Sequence, residues 1–218
     1  MLDSSHPAVI ELKRLLPSCT VYGGSFSHLM PNIKSVSLSN RPVILKSMQS
    51  EWTSRALSEV MRQLNFDPQE KIGRGNLGYR KWPKGYVGSI THKGTVVLVA
   101  MAKKRSLSSV GIDLERTQNT HFSLFRNMIA PEGHPPISDE AIALQTAFSV
   151  KEASFKLAYP INPVSVRFRD IRVAWNEAGD GILLGSVSIK GFPAFVAKCC
   201  LSIPWIVSVA TLPSSTGS

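Results

Sequence analysis

The chain has 218 residues and a formal charge of +10, with 43% hydrophobic and 18% charged residues. That balance excludes wholesale disorder, and the length is enough to bury about 70% of the unfolded surface without disulfides or a structural metal. Cys19, Cys199 and Cys200 make no disulfide framework, no apolar run approaches the ~20 residues of a membrane span, and Glu11, Lys13 and Arg14 interrupt the apolar residues a secretory leader would need. A cytoplasmic protein of one large domain or two halves is expected.

In chain order, residues 7–16 carry Val9, Ile10, Leu12, Leu15 and Leu16 and read as a short helix. Residues 17–47 are rich in Pro, Ser and Asn and read as loops and short strands. Over 50–64, Trp52, Ala56, Leu57, Val60, Met61 and Leu64 share one helical face. A turn-rich stretch follows, with Gly73, Gly75, Gly78, Pro83 and Gly85. Strands are expected at 87–92, 95–102 and 109–114, the middle one almost wholly apolar. Phe122, Phe125, Met128 and Ile129 suggest a helix near 120–129, three prolines a loop at 130–137, and a long helical pattern runs from Ser138 to Ala158. Strands are expected at 170–175, 182–189, 193–201 and 205–211, then a disordered tail from Pro213 to Ser218. The order is helix, strands, helices, strands, an α+β architecture with two similar halves.

Charge is concentrated. Lys71, Arg74, Arg80, Lys81, Lys84, Lys93, Lys103, Lys104 and Arg105 all lie between Lys71 and Ile112, a stretch without Asp or Glu. Such a field attracts nucleic acid, a phosphorylated small molecule or an acidic protein, or else forms a solvated basic face.

The sign then flips. Asp113 and Glu115 are two apart, so on a strand they share a face. Two oxygen donors without His or Cys begin a hard-cation site, Mg²⁺ rather than Zn²⁺; the plain alternative is an exposed strand end. In Ser149-Val150-Lys151-Glu152-Ala153-Ser154-Phe155-Lys156, Glu152 and Lys156 share a helix face at i, i+4. They read as a surface ion pair, as part of a Ser149–Glu152 capping box, or as a third carboxylate with a phosphate-binding lysine. A third block runs from Trp82-Pro83 to Gly88-Ser89-Ile90-Thr91-His92. Its hydroxyls, glycines and histidine beside basic residues suit a phosphorylated ligand, although one histidine alone is more often structural.

Together, Trp82-Pro83, Gly88 to His92, Val110-Gly111-Ile112-Asp113-Leu114-Glu115 and Phe148 to Lys156, with Ala158-Tyr159-Pro160 after them, resemble the Sfp-type 4′-phosphopantetheinyl transferases. The branch they are similar to is the one typified by enterobactin synthase component D. The resemblance covers roughly residues 50–160. It implies transfer of the phosphopantetheine arm of coenzyme A to a serine of an apo acyl or peptidyl carrier protein, releasing 3′,5′-adenosine bisphosphate. It implies Mg²⁺, with Mn²⁺ as the alternative, on Asp113, Glu115 and Glu152. It makes Glu152 the general base, with Asp113 and Lys156 as its catalytic companions. Arg55, Arg74, Ser89, Thr91, His92, Lys151 and Lys156 are then the coenzyme-binding residues. Lys93 stands where the family usually has cysteine. The implied fold is pseudo-dimeric, two α/β halves each with a small antiparallel sheet and a long helix. The halves would be residues 1–116 and 117–212, and the protein a monomer. Two rival readings are a basic nucleic-acid-binding protein and a catalytically silent member of the same fold. The aromatics Tyr79, Trp82 and Tyr86 form no nucleic-acid module, and the retained Asp113, Glu115, Glu152 and Lys156 oppose a silent member.

Overall fold

The computed structural model describes residues 2, 4–29, 41–66, 72–75, 79–117, 126–129, 133–163, 166–177 and 179–214. Helix α1 (Pro7–Leu15) starts with proline, whose missing N–H costs nothing in a first turn, and is capped by His6 Nδ1, which accepts from the Ala8 N–H at 3.2 Å. Strand β1 (Thr20–Ser25) follows, then helix α2 (Arg41–Gln63). The helix expected over 50–64 begins nine residues earlier. Pro42 falls in its first turn, where proline is tolerated, so here it marks a helix start and not a loop; residues 30–40, also expected as loops and short strands, lie outside the described residues.

Strands β2 (Gly73–Arg74) and β3 (Arg80–Lys81) form a small ribbon within the turn-rich stretch. Strands β4 (Tyr86–Lys93) and β5 (Val96–Lys103) join β1 in a three-stranded antiparallel sheet, order β1-β5-β4. The central strand β5 is buried on both faces, which is why its sequence is nearly unbroken in apolar residues. Val97, Val99 and Met101 pack on Trp52, Ala56 and Val60 of α2. Val96, Leu98 and Ala100 point the other way, into a core shared with Val9 and Leu12 of α1.

Strand β6 (Leu107–Arg116) lies in the first half of the chain, yet it completes the second sheet. That sheet contains β7 (Arg172–Glu177), β8 (Ile182–Ser188), β9 (Phe195–Ser202) and β10 (Trp205–Pro213), in the antiparallel order β6-β10-β9-β8-β7. Short helix α3 (Arg126–Ile129) precedes helix α4 (Glu140–Ala158). Residues 118–125 and 130–132, which bear on the helix and loop expected there, lie outside the described residues. Asp139 caps α4 by accepting from the Ile142 N–H at 3.1 Å. Val150, Ala153 and Leu157 of α4 pack on Val173, Val187, Ala197 and Ile206 of the second sheet. The tail expected from Pro213 is corrected at its first residue. Pro213 is the last residue of β10, and only 215–218 lie outside the described residues.

The architecture is α+β: a three-stranded sheet backed by α2 and a five-stranded sheet backed by α4, with a common core between them holding Leu98, Ile112, Leu114, Val207 and Val209. All three cysteines are free. Among the described residues no helix is long and apolar enough to cross a membrane.

Candidate active site at the junction of two sheets

Edge strand β4 of the first sheet runs beside edge strand β6 of the second without a backbone ladder between them. Side chains make the seam, and they come from every second residue of β4. Ser89 Oγ accepts from the Ile112 N–H at 3.0 Å. Thr91 Oγ1 donates to Asp113 Oδ1 at 3.3 Å. Lys93 Nζ lies 2.5 Å from Glu115 Oε2 as an ion pair. The period of two places these three side chains on one face of β4. On β6, Ile112 and Leu114 fill the common core, while Asp113 and Glu115 face the cleft and are 5% and 7% exposed.

Helix α4 closes the site from the other side. Gly111 permits the approach, since a Cβ there would sit 1.9 Å from the Ala153 carbonyl oxygen. Lys156 Nζ donates to Asp113 Oδ1 at 2.7 Å, to the Ile112 carbonyl at 3.2 Å and to Thr91 Oγ1 at 3.3 Å. Ser149 Oγ donates to Asp113 Oδ2 at 3.0 Å. Asp113 is therefore held by α4 and β4 together. Ser149 does not begin the helix; Asp139 caps it, and the capping-box reading falls away. Lys156 pairs with Asp113 across 43 residues rather than forming the local pair with Glu152.

The seam opens into a cleft of about 970 Å³. Lys46, Gln49 and Thr53 of α2, Arg74, Tyr79 and Arg80 of the β2–β3 ribbon, Gly88 to Lys93 of β4, Asp113 and Glu115 of β6, and Phe155, Lys156 and Tyr159 line it. Arg74 and Arg80 are cross-strand partners. Like charges directly opposite one another destabilise a ribbon unless an anion lies between or beside them. The Arg80 guanidinium is shifted below its ordinary pKa, first by burial and then by Arg74. One end of the cleft is thus prepared for an anion. Phe155 stacks on Tyr159 with ring centres 4.9 Å apart, and Tyr79 meets Tyr159 edge-on at 6.5 Å, giving the same cleft an aromatic wall.

Burial raises the Glu115 carboxyl above the usual range; Lys93 opposes this and Asp113 reinforces it. Glu152, half-buried on α4, is raised first by burial, with Lys156 opposing and Asp113 and Glu115 reinforcing. The three carboxylates therefore feel one another. For His92, loss of surrounding water and then the Lys156 cation push the imidazole below its ordinary value. The oxygen-only donor set suits a hard cation such as Mg²⁺. Among the described residues, no three carboxylate, histidine or cysteine side chains are gathered tightly enough to enclose an ion. Lysine ammonium groups instead sit on Asp113 and Glu115.

Of the residues expected from sequence, Arg74, Ser89, Thr91, His92, Asp113, Glu115 and Lys156 line the cleft. Glu152 lies one helical turn from Lys156 and is coupled to both strand carboxylates. Arg55 is not brought in. It is exposed on α2, paired with Glu51 at 2.6 Å and stacked 4.4 Å over Trp52, and the α2 cation that faces the cleft is Lys46. Lys151 is not brought in either; its side chain is wholly buried under α4, and the i, i+4 rule that joins Glu152 to Lys156 turns Lys151 toward the interior. Lys46, Arg80 and Lys93 are cleft cations outside the set expected from the sequence. For Lys93 the signal was present, because 89, 91 and 93 fall on one strand face.

No family model matches the chain. The 4′-phosphopantetheinyl transferase Npt of Nocardia iowensis is 31% identical over 191 residues, covering 75% of this chain and 84% of that protein. Enterobactin synthase component D of Escherichia coli K12 is 35% identical over 88 residues, 38% of this chain and 41% of that protein. Its counterpart in Shigella flexneri is 33% identical over the same length. An anion-ready cleft with clustered carboxylates, within a similarity that spans most of the Nocardia enzyme, makes the assignment: the chain belongs to the 4′-phosphopantetheinyl transferases.

Proposed function

We propose that the cleft binds coenzyme A and transfers its phosphopantetheine arm to a serine of an apo acyl or peptidyl carrier protein, releasing 3′,5′-adenosine bisphosphate. The observation that carries this reading is the meeting of the Arg74–Arg80 pair, Lys46 and Lys156 with Asp113 and Glu115 in one cleft, with Glu152 on α4 electrostatically coupled to both carboxylates. Coenzyme A offers what such a cleft recognises, a pyrophosphate and a 3′-phosphate joined to a long, less polar arm that fits the wall of Phe155, Tyr79 and Tyr159.

Asp113, Glu115 and Glu152 are the residues that would hold Mg²⁺, or Mn²⁺, which supplies charge neutralisation at the pyrophosphate when bound. The serine oxygen forms the new P–O bond, the bridging P–O bond of the pyrophosphate breaks, and the adenosine bisphosphate leaves with that oxygen. The serine proton passes to Glu152, directly or through water. Its raised proton affinity suits a general base, since an ordinary carboxylate is a weaker one. Lys156 neutralises phosphate charge from a fixed position, held by the Ile112 carbonyl and Thr91 as well as Asp113. Arg74, with Arg80, and His92 face the coenzyme's phosphates. Ser89 and Thr91 hold the seam, and Ser89 keeps its own O–H for the ligand. Arg55 and Lys151 take no direct part.

The cleft is complete within one chain, which supports action as a monomer, and the three free cysteines suit a reducing cytoplasm. The exposed bases Lys81, Lys84, Lys103, Lys104 and Arg105 favour an acidic protein partner. Incubating the protein with coenzyme A, Mg²⁺ and apo carrier proteins of fatty-acid, polyketide and peptide systems tests the reading. Intact-mass analysis is expected to show one phosphopantetheine arm on at least one carrier, and none when a chelator is present. Failure to modify every carrier would overturn it.

A further inference from the structure

The ion pair between Lys93 and Glu115 joins the last residue of β4 to β6, and so spans the two sheets at the end of the seam. The two lysines that sit on the strand carboxylates are held differently. Lys156 has two neutral acceptors, the Ile112 carbonyl and Thr91 Oγ1, in addition to Asp113. It therefore stays in place when its carboxylate turns elsewhere. For Lys93 the structure gives a single carboxylate partner among the described residues, Glu115. Its side chain is 34% exposed against 9% for the glutamate, so the ammonium is the partner with open space to swing into. The backbone beneath it is fixed. Gln49 of α2 donates to the Gly94 carbonyl at 2.8 Å, and Gly94, at φ +57°, makes the tight turn into β5.

We infer that Lys93 is the resident counter-cation of Glu115, a gate on metal loading that a divalent cation displaces, and that the displaced ammonium then turns to the anionic ligand. This rests on the proposed reading of Asp113, Glu115 and Glu152 as the metal ligands. Glu115 is buried and its charge needs a partner. Without a divalent cation, Lys93 supplies it. When Glu115 turns to a metal, Lys93 loses its one partner, and the nearest new anion is a phosphate in the cleft it already lines. Metal and coenzyme loading are coupled as a result, because each ligand releases or captures the same ammonium. The ε-ammonium suits this exchange, being a compact charge on a flexible stem.

The test measures Mn²⁺ binding by the loss of the free-ion electron paramagnetic resonance signal, first without coenzyme. Lys93→Gln is expected to bind Mn²⁺ about tenfold more tightly than the unaltered protein, the scale of a close charge pair. Lys93→Arg, which keeps the pair, is expected to bind as the unaltered protein does. Lys84→Gln, which removes an exposed charge outside the cleft, is expected to leave Mn²⁺ affinity unchanged. Calorimetry at saturating Mn²⁺ is then expected to show coenzyme A binding about tenfold more weakly to Lys93→Gln. Lys93 is partly exposed, so the fold survives its replacement, which the melting temperature checks. Unchanged Mn²⁺ affinity in Lys93→Gln overturns the inference while leaving the metal reading intact. An equal gain in Lys84→Gln overturns it too, since the effect would then be general charge. Absence of Mn²⁺ binding in the unaltered protein, with and without coenzyme A, overturns the metal reading and the inference together.

Discussion

His92 carries a sign that the cleft's chemistry imposes. Partial loss of water in the cleft and then the Lys156 cation favour the neutral imidazole, although the side chain is exposed enough for solvent to weaken the effect. Its folded pKa is depressed. The stability this contributes is present above the unfolded value of about 6.5 and lost as pH falls through the lower folded value. A ring-proton NMR titration is expected to place the His92 midpoint below about 6.5, and Lys156→Gln is expected to raise it toward that value. A midpoint above that value in the unaltered protein would contradict the assigned environment. At this scale the sequence was legible where a rule of period applied. Asp113 and Glu115 share a face because strands alternate, and both are buried in the cleft. Partners distant in the chain were not legible. The local spacing offered Glu152 to Lys156, but a partner 43 residues away took the lysine. Arg55 had its own answer in the sequence, Glu51 four residues before it, a local pair that leaves its charge on the outer surface.

At the scale of elements, the approach of α4 to β6 sets the distance between Lys156 and Asp113. Gly111→Ala places a methyl carbon against the Ala153 carbonyl, so strand and helix must separate. The expected cost is roughly 1–3 kcal/mol, with loss of transfer because the site is built across that contact; denaturant unfolding and a carrier-modification assay check the two parts. Asp139→Ala removes the α4 cap and is expected to cost about 1 kcal/mol in the same unfolding measurement, while transfer persists well below the melting temperature. The contrast separates a helix that must exist from one that must lie in a particular place. Strand and helix positions followed closely, because α2 buries Trp52, Ala56, Leu57 and Val60 on one face and β5, buried on both faces, reads as an unbroken apolar run. The start of α2 did not. Pro42 reads as a breaker in isolation and is harmless in the first turn of a helix. Nor could a local pattern show that β6 pairs with β10, ninety-odd residues later, and so crosses from the first half into the second sheet.

At the scale of the molecule, two sheets meet edge to edge and the meeting line is chemical rather than a ladder. Hydroxyls, ammonium groups and carboxylates stitch β4 to β6, and the same groups line the cleft. Holding the halves together and handling an anionic substrate are therefore tasks of one set of residues. The net charge of +10 takes its meaning from this arrangement. Arg74, Arg80 and Lys93 belong to the cleft, while Lys81, Lys84, Lys103, Lys104 and Arg105 lie outside it on the exposed surface. The most direct measurement compares the unaltered protein with Glu152→Gln, an isosteric change that removes the proposed base. Coenzyme A binding is read by calorimetry and arm transfer by intact mass of the carrier. The variant is expected still to bind coenzyme A but to lose transfer by a factor of about 10² or more. Transfer at the unaltered rate in Glu152→Gln would contradict it.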